Sequence, residues 1–119
     1  MAFIEKRAFR RLLFNVEVEY KVVSAPEELS ALMVHSKNIS AGGIRLVILE
    51  KLDLGTILAL KFFLPDSTKP TCATGRVVWT EEYTIGTLDS SKAYDAGIEF
   101  VSIKQEDRAR IHNYVHSRS

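Results

Sequence analysis

The chain lacks most of what staples, spans or steers a protein. Cys72 is its only cysteine, so no internal disulfide can form and no cysteine-based zinc cluster can be built. That thiol is expected to lie buried. Prolines number three and glycines six, with no tract of either to mark a linker or low-complexity segment. Apolar runs such as Leu46-Val47-Ile48-Leu49 fall far short of the roughly 18 residues that cross a bilayer, so no membrane insertion is expected. Charge of one sign is also missing. Sixteen basic residues face fifteen acidic ones, a net +1, so no whole-molecule field draws the chain to nucleic acid or to an anionic membrane. The opening Met1 to Lys6 meets charge at once, without a long apolar segment or cleavage site, so a cytoplasmic location is expected.

What is present suits one globular domain: 119 residues, 46% hydrophobic, 26% charged and 9% aromatic. A chain of this size buries roughly two-thirds of its unfolded surface and can build a core unaided. Residues 5–11 stand apart, with four basic residues against one acidic. They lie within a flexible basic N-terminal arm, residues 1–12, ahead of a folded unit over residues 13–119.

From Val16 the pattern alternates with period two. Val16, Val18, Tyr20 and Val22 share one face, and Glu17, Glu19 and Lys21 take the other. Ile44, Leu46 and Ile48 resume the alternation after Gly42 and Gly43, followed by Leu58, Leu60, Phe62 and Leu64. Two further strands are expected. One runs from Thr71 to Thr80 with Ala73, Val77 and Trp79 inward; the other runs from Ala93 to Val101 with Tyr94, Ala96, Ile98 and Phe100 inward. Leu32 and Val34 mark a weaker strand, and Pro26 to Leu29 fits either a loop or a helical turn. Ser102 and Gln105 form a capping-box pattern ahead of Ile111 and Val115, which predicts a closing amphipathic helix. About six short strands without βαβ alternation argue for a mainly β fold, an antiparallel barrel or sandwich with that helix packed on it.

Catalytic signatures are missing: there is no Gly-x-Ser-x-Gly elbow, His-Glu-x-x-His or P-loop, so no enzyme is expected. His112 and His116 stand one helical turn apart, but no third ligand is evident, and no metal is expected. More informative are Arg7 and Arg11, in an Arg-x-x-x-Arg pattern with Lys6 and Arg10 beside them. A guanidinium is a planar fork that clamps a phosphate, meets O6 and N7 of guanine, or stacks on an aromatic plane. Taken alone, the pattern fits a solvated basic face or a surface salt-bridge partner better than a ligand site. The second motif is Asn38-Ile39-Ser40-Ala41-Gly42-Gly43, an Asn-x-Ser-x-x-Gly pattern between two strands. Asn accepts from a guanine N–H edge, Ser bridges to phosphate or base, and Gly permits positive φ and close backbone approach. The same residues also make ordinary turns.

In this order, 27 residues apart from Arg11 to Asn38, the two motifs resemble the PilZ domain, the bacterial receptor module for cyclic di-GMP (c-di-GMP). Gly43-Ile44-Arg45-Leu46, Gly75-Arg76-Val77-Val78-Trp79, Gly97-Ile98-Glu99-Phe100 and the Gln105-Glu106-Asp107-Arg108 helix resemble later parts of the same family. The resemblance implies a six-stranded antiparallel β-barrel with a C-terminal α-helix. It also implies a c-di-GMP receptor that regulates an effector protein in motility, pilus or biofilm output, with no other cofactor and no DNA or RNA partner. By the same resemblance, Arg7 and Arg11 grip guanine and phosphate, while Asn38, Ser40 and Gly43 hold a guanine edge and the adjoining phosphate. Gly42 and Arg10 belong to the same site, and Lys6 influences whether one or two stacked ligands bind. Trp79 is either a stacking wall or a core indole beside Val77. Position 38 departs from the commoner Asp of the family and offers one neutral acceptor where a carboxylate offers two oxygens. Two rival readings are a PilZ-like interaction domain of pilus or flagellar machinery and a small barrel for single-stranded nucleic acid. The near-neutral charge speaks against the latter.

Overall fold

A computed structural model describes residues 12–13, 15–25, 31–65, 67–84 and 92–117. The alternating segments form β2 (Glu17–Val22), β3 (Leu32–Ser40), β4 (Gly43–Ile48), β5 (Ile57–Phe62), β6 (Thr71–Thr84) and β7 (Lys92–Ile103), preceded by a short β1 (Leu12–Leu13) and followed by helix α1 (Gln105–Ser117). Every pairing is antiparallel. Strand neighbours run β3-β2-β5-β6-β7-β4, and β4 pairs back onto β3. Six strands therefore close a barrel, which removes the free edges that an open sheet would present. β1 lies along the edge of β3 that β4 does not take, with Leu12 opposite Ile39 and Leu13 opposite Asn38.

The interior is the apolar half of each alternation: Val18, Tyr20, Leu46, Ile48, Leu58 and Phe62 are all buried. From α1, Ile111, Tyr114 and Val115 are buried as well, and the helix packs against β3. The expected barrel with one C-terminal helix is therefore the fold. The weak strand at Leu32 and Val34 is in fact nine residues long. Its outer residues Leu32 and Met33 are exposed, so the apolar signal at its start is blurred. Pro26 to Leu29 lies outside the described residues.

Several local expectations are corrected. Ser102 does not cap the helix. β7 continues to Ile103, with Ser102 paired to Thr74, and this ladder holds Ser102 extended. The first helical bond instead runs from Arg108 N–H to the Lys104 carbonyl at 3.0 Å, which makes Lys104 the cap. Glu106 and Asp107 then occupy the first turn, where negative charge complements the helix dipole. Cys72 is exposed, because its neighbours Thr71 and Ala73 take the inward positions of β6. Tyr94 is only half-buried, while Ala93 and Asp95 on either side of it are buried.

One buried polar link bears on stability at alkaline pH. Tyr20 is 1% exposed, and its hydroxyl donates to Glu50 Oε1 at 2.6 Å. Burial first, then the bond to Glu50 and its charge, push the phenol above its ordinary value of 10. A folded state that keeps this proton, while the unfolded state releases it above pH 10, loses stability as pH rises. Chemical denaturation of the wild type should weaken above pH 10 by up to about 1.4 kcal/mol per pH unit from this group. Tyr20→Phe should flatten that limb and cost about 1 kcal/mol at neutral pH. An identical alkaline limb in the variant would show that Tyr20 does not cause it.

Candidate ligand-binding site

The β3–β4 hairpin turns in two residues, with Ser40 paired to Gly43 across Ala41 and Gly42. Three residues earlier, the register slips between Ser36 and Asn38, so Lys37 is the extra residue of a β-bulge. Its consequence is a change of face. Ser36 is buried and its hydroxyl accepts from Val16 N–H at 3.1 Å, whereas beyond the bulge it is Ile39 that enters the core. Asn38 and Ser40 are thereby turned outward, onto the face where Gly43 and Arg45 of β4 also lie.

These residues line an outer cavity of about 470 Å³, with Trp79 from β6, Glu99 from β7 and Arg108 from α1. A cavity of this volume is in the range that holds small ligands. Asn38 and Ser40 are only 9% and 7% exposed, so much of the desolvation that ligand contact requires is already in place. The Ser40 oxygen accepts from Gly42 N–H at 3.2 Å, which leaves its own hydrogen free to be donated.

The turn is held from three directions. Phe100 N–H donates to Gly42 O at 2.9 Å, and Arg108 Nη1 donates to Ala41 O at 3.0 Å. Beneath it, a Cβ on Gly43 would lie 2.3 Å from the Ile98 carbonyl oxygen. Glycine is required at Gly43 for that close approach of two backbones, not for positive φ. Among the described residues only Gly55 has φ in the left-handed region, which corrects the conformational role expected of Gly42 and Gly43.

Trp79 is not an inward partner of Val77. A second bulge, between Val77 and Trp79, inserts Val78 and reverses the alternation, so Val77 is 1% exposed and Trp79 is 39% exposed. The indole edge at Nε1 covers Gly97, where a Cβ would fall 2.1 Å from that nitrogen. Period two is a property of an uninterrupted ladder, and one inserted residue inverts every side chain after it.

Charged groups ring the cavity. Arg45 Nη2 donates to Asp95 Oδ2, and its guanidinium carbon lies 5.3 Å from the centre of the Trp79 ring. Lys37 Nζ reaches the same Asp95 oxygen at 3.1 Å. Glu99 is engaged by Arg76 at 2.7 Å. Arg45 and Arg108 line the cavity against one lining carboxylate, Glu99, a small excess of positive charge that favours an anionic occupant.

Of the residues singled out in the sequence, Asn38, Ser40, Gly42, Gly43 and Trp79 come together in this cavity. Lys6, Arg7, Arg10 and Arg11 lie outside the described residues. Arg45 and Arg108 were missed as lining residues, although Arg45 alternates with Ile44 and Leu46 in the strand directly after the glycines, a pattern that assigns it to the outer face. His112 and His116 are exposed, with ring centres 4.1 Å apart. No group of three or more potential metal ligands occurs among the described residues. Nor, among those residues, is any helix long and apolar enough to cross a membrane.

A closed six-stranded barrel, one terminal helix and an outward cavity built on a strand hairpin define a β-barrel class with its polar site on the wall. Within that class, the chain belongs to the PilZ domain family, whose sequence profile it matches over residues 5–117. Its fold is similar to that of the Bacillus subtilis inhibitor of motility MotI/DgrA, with TM-score 0.75 and 24% identity over 97% of this chain and 52% of that one. It is also similar to the PilZ domain of YcgR from Escherichia coli, solved with c-di-GMP, with TM-score 0.68 and 10% identity over 95% of this chain and 91% of that one. For the c-di-GMP complex of MrkH from K. pneumonia, the TM-score is 0.69 at 15% identity, over 96% of this chain and 52% of that one. This chain thus spans about half the length of MotI and of MrkH. No curated protein matches it by sequence.

Proposed function

We propose that this domain is a receptor for c-di-GMP, acting in the cytoplasm, and that ligand capture between the basic N-terminal segment and the hairpin face regulates a partner protein. The observation that carries the reading is the shared outward placement of Asn38, Ser40, Gly42 and Gly43 in one cavity, produced by the Lys37 bulge. The register of β1 supports it. Leu12, the residue that follows Arg11 in the sequence, stands opposite Ile39 of the hairpin. The structures of YcgR and MrkH with c-di-GMP add a precedent for the ligand on this fold.

In this reading Asn38 accepts from a guanine N–H edge, and Ser40 donates to a neighbouring phosphate oxygen. Backbone at Gly42 and Gly43 lets the ligand approach closely, and Arg7 and Arg11 close as planar forks over base and phosphate. Arg10 and Lys6 add charge. Trp79 forms one wall of the cavity. The domain performs no chemistry: ordering of the arm changes the surface offered to an effector.

Calorimetric titration of the wild-type chain tests this. c-di-GMP should bind saturably, GTP and cyclic GMP should bind far more weakly, oligonucleotides should not compete, and the nucleotide should be recovered unchanged. No binding at concentrations on the order of tens of micromolar would overturn the receptor reading and favour a pure interaction domain.

A further inference from the structure

Arg45 belongs to neither motif, yet both Asp95 and Trp79 engage its side chain at the cavity. It is directly paired across the ladder with Asn38, so the two side chains rise from the same face as neighbours. Asp95 holds one of its nitrogens and Trp79 lies beneath its guanidinium. Asp95 is itself 5% exposed, and its Oδ2 is shared between Arg45 and Lys37. This arrangement differs from a surface ion pair in one respect. Arg45 Nε is buried with no hydrogen-bond partner, and no bond to Nη1 occurs among the described residues. A group whose only task was to neutralise Asp95 would spend those donors on the free Asp95 Oδ1, which is also unpartnered. Buried donors of this kind are costly unless something completes them.

We propose that Arg45 contacts the ligand directly, reading the O6 and N7 edge of a guanine base, and that Asp95 and Trp79 are the positioning residues that hold its plane. This rests on the c-di-GMP reading above and adds the origin of base selectivity. O6 adjoins N1 on the purine ring, so a base whose N1–H and N2–H point at Asn38 brings O6 towards the neighbouring strand, where Arg45 stands. Adenine carries an amino donor in place of O6 and would oppose the guanidinium donor to donor. Lysine at this position would keep the charge and the bond to Asp95 but lose the planar fork.

The experiment compares c-di-GMP with cyclic di-AMP by calorimetry in the wild type, Arg45→Lys and the neutral pair Arg45→Gln with Asp95→Asn. The double variant leaves no orphaned buried charge should the single one fold poorly. The wild type should strongly prefer the guanine ligand. Both variants should melt cooperatively and lose roughly tenfold or more of the guanine-to-adenine ratio. Trp79→Leu should lose part of that ratio while keeping Arg45 itself. An unchanged ratio in folded Arg45→Lys and in the double variant overturns the role of Arg45 and leaves the receptor reading standing. A wild type that binds neither dinucleotide fails the receptor reading itself.

Discussion

Arg11→Ala is expected to weaken c-di-GMP binding about ten- to 150-fold, the equivalent of about 1.5 to 3 kcal/mol for one charge-assisted bidentate contact. The size follows from what the fork does. In the proposed complex, two parallel N–H bonds to a phosphate or a guanine edge would form beside Asn38 and Ser40, which are already almost dehydrated, so water would not replace the lost partner cheaply. Arg7→Ala should fall in the same range. Arg11→Lys should recover only part of the loss, because an ammonium restores charge without the fork. The loss should also shrink as salt is raised, since the ionic part of the contact is screened. Calorimetry on folded variants reads this directly, and an unaltered affinity in either alanine variant would remove that arginine from the site.

Gly43→Ala is expected to be the most damaging single substitution at the hairpin. The added Cβ would meet the Ile98 carbonyl oxygen at 2.3 Å, the Ile98 carbonyl carbon at 3.3 Å and the Glu99 Cα at 3.4 Å, all of them backbone atoms. No side chain can rotate away, so β4 must lift from β7. That movement would pull Gly42 O from Phe100 N–H and disturb the bond from Arg108 to Ala41 O. Overpacking of this kind costs about 3 kcal/mol or more at a site that cannot yield. Thermal denaturation should show the midpoint lowered by roughly 10 °C or more, and the surviving folded fraction should bind c-di-GMP poorly. A variant as stable as the wild type would mean that the hairpin is free to shift.

Most of the barrel was legible in the sequence because its interior obeys one rule. Val18 and Tyr20, Leu46 and Ile48, and Leu58, Leu60 and Phe62 alternate without interruption, and each set is buried. Legibility failed where the ladder carries an extra residue. The bulge at Val78 turned Trp79 out, and nothing in Gly75-Arg76-Val77-Val78-Trp79 marks where pairing slips. The bulge at Lys37 worked the other way, placing Asn38 and Ser40 on the outer face that a ligand needs. The capping-box pattern at Ser102 misled because local helix signals compete with strand pairing, and Thr74 supplied the partner. The hairpin turn at Ala41 and Gly42 was legible from residue type and order. Arg45 was not, since a single arginine in an alternating strand carries no mark of the Asp95 and Trp79 that position it.

Amide hydrogen exchange with and without c-di-GMP tests the convergence of arm and hairpin most directly. The account predicts ligand-induced protection in two separate stretches, residues 6–11 and 38–43, with little change on the opposite wall formed by β2 and β5. Protection confined to some other surface, or an arm that exchanges identically in both states while the ligand is bound, would contradict it.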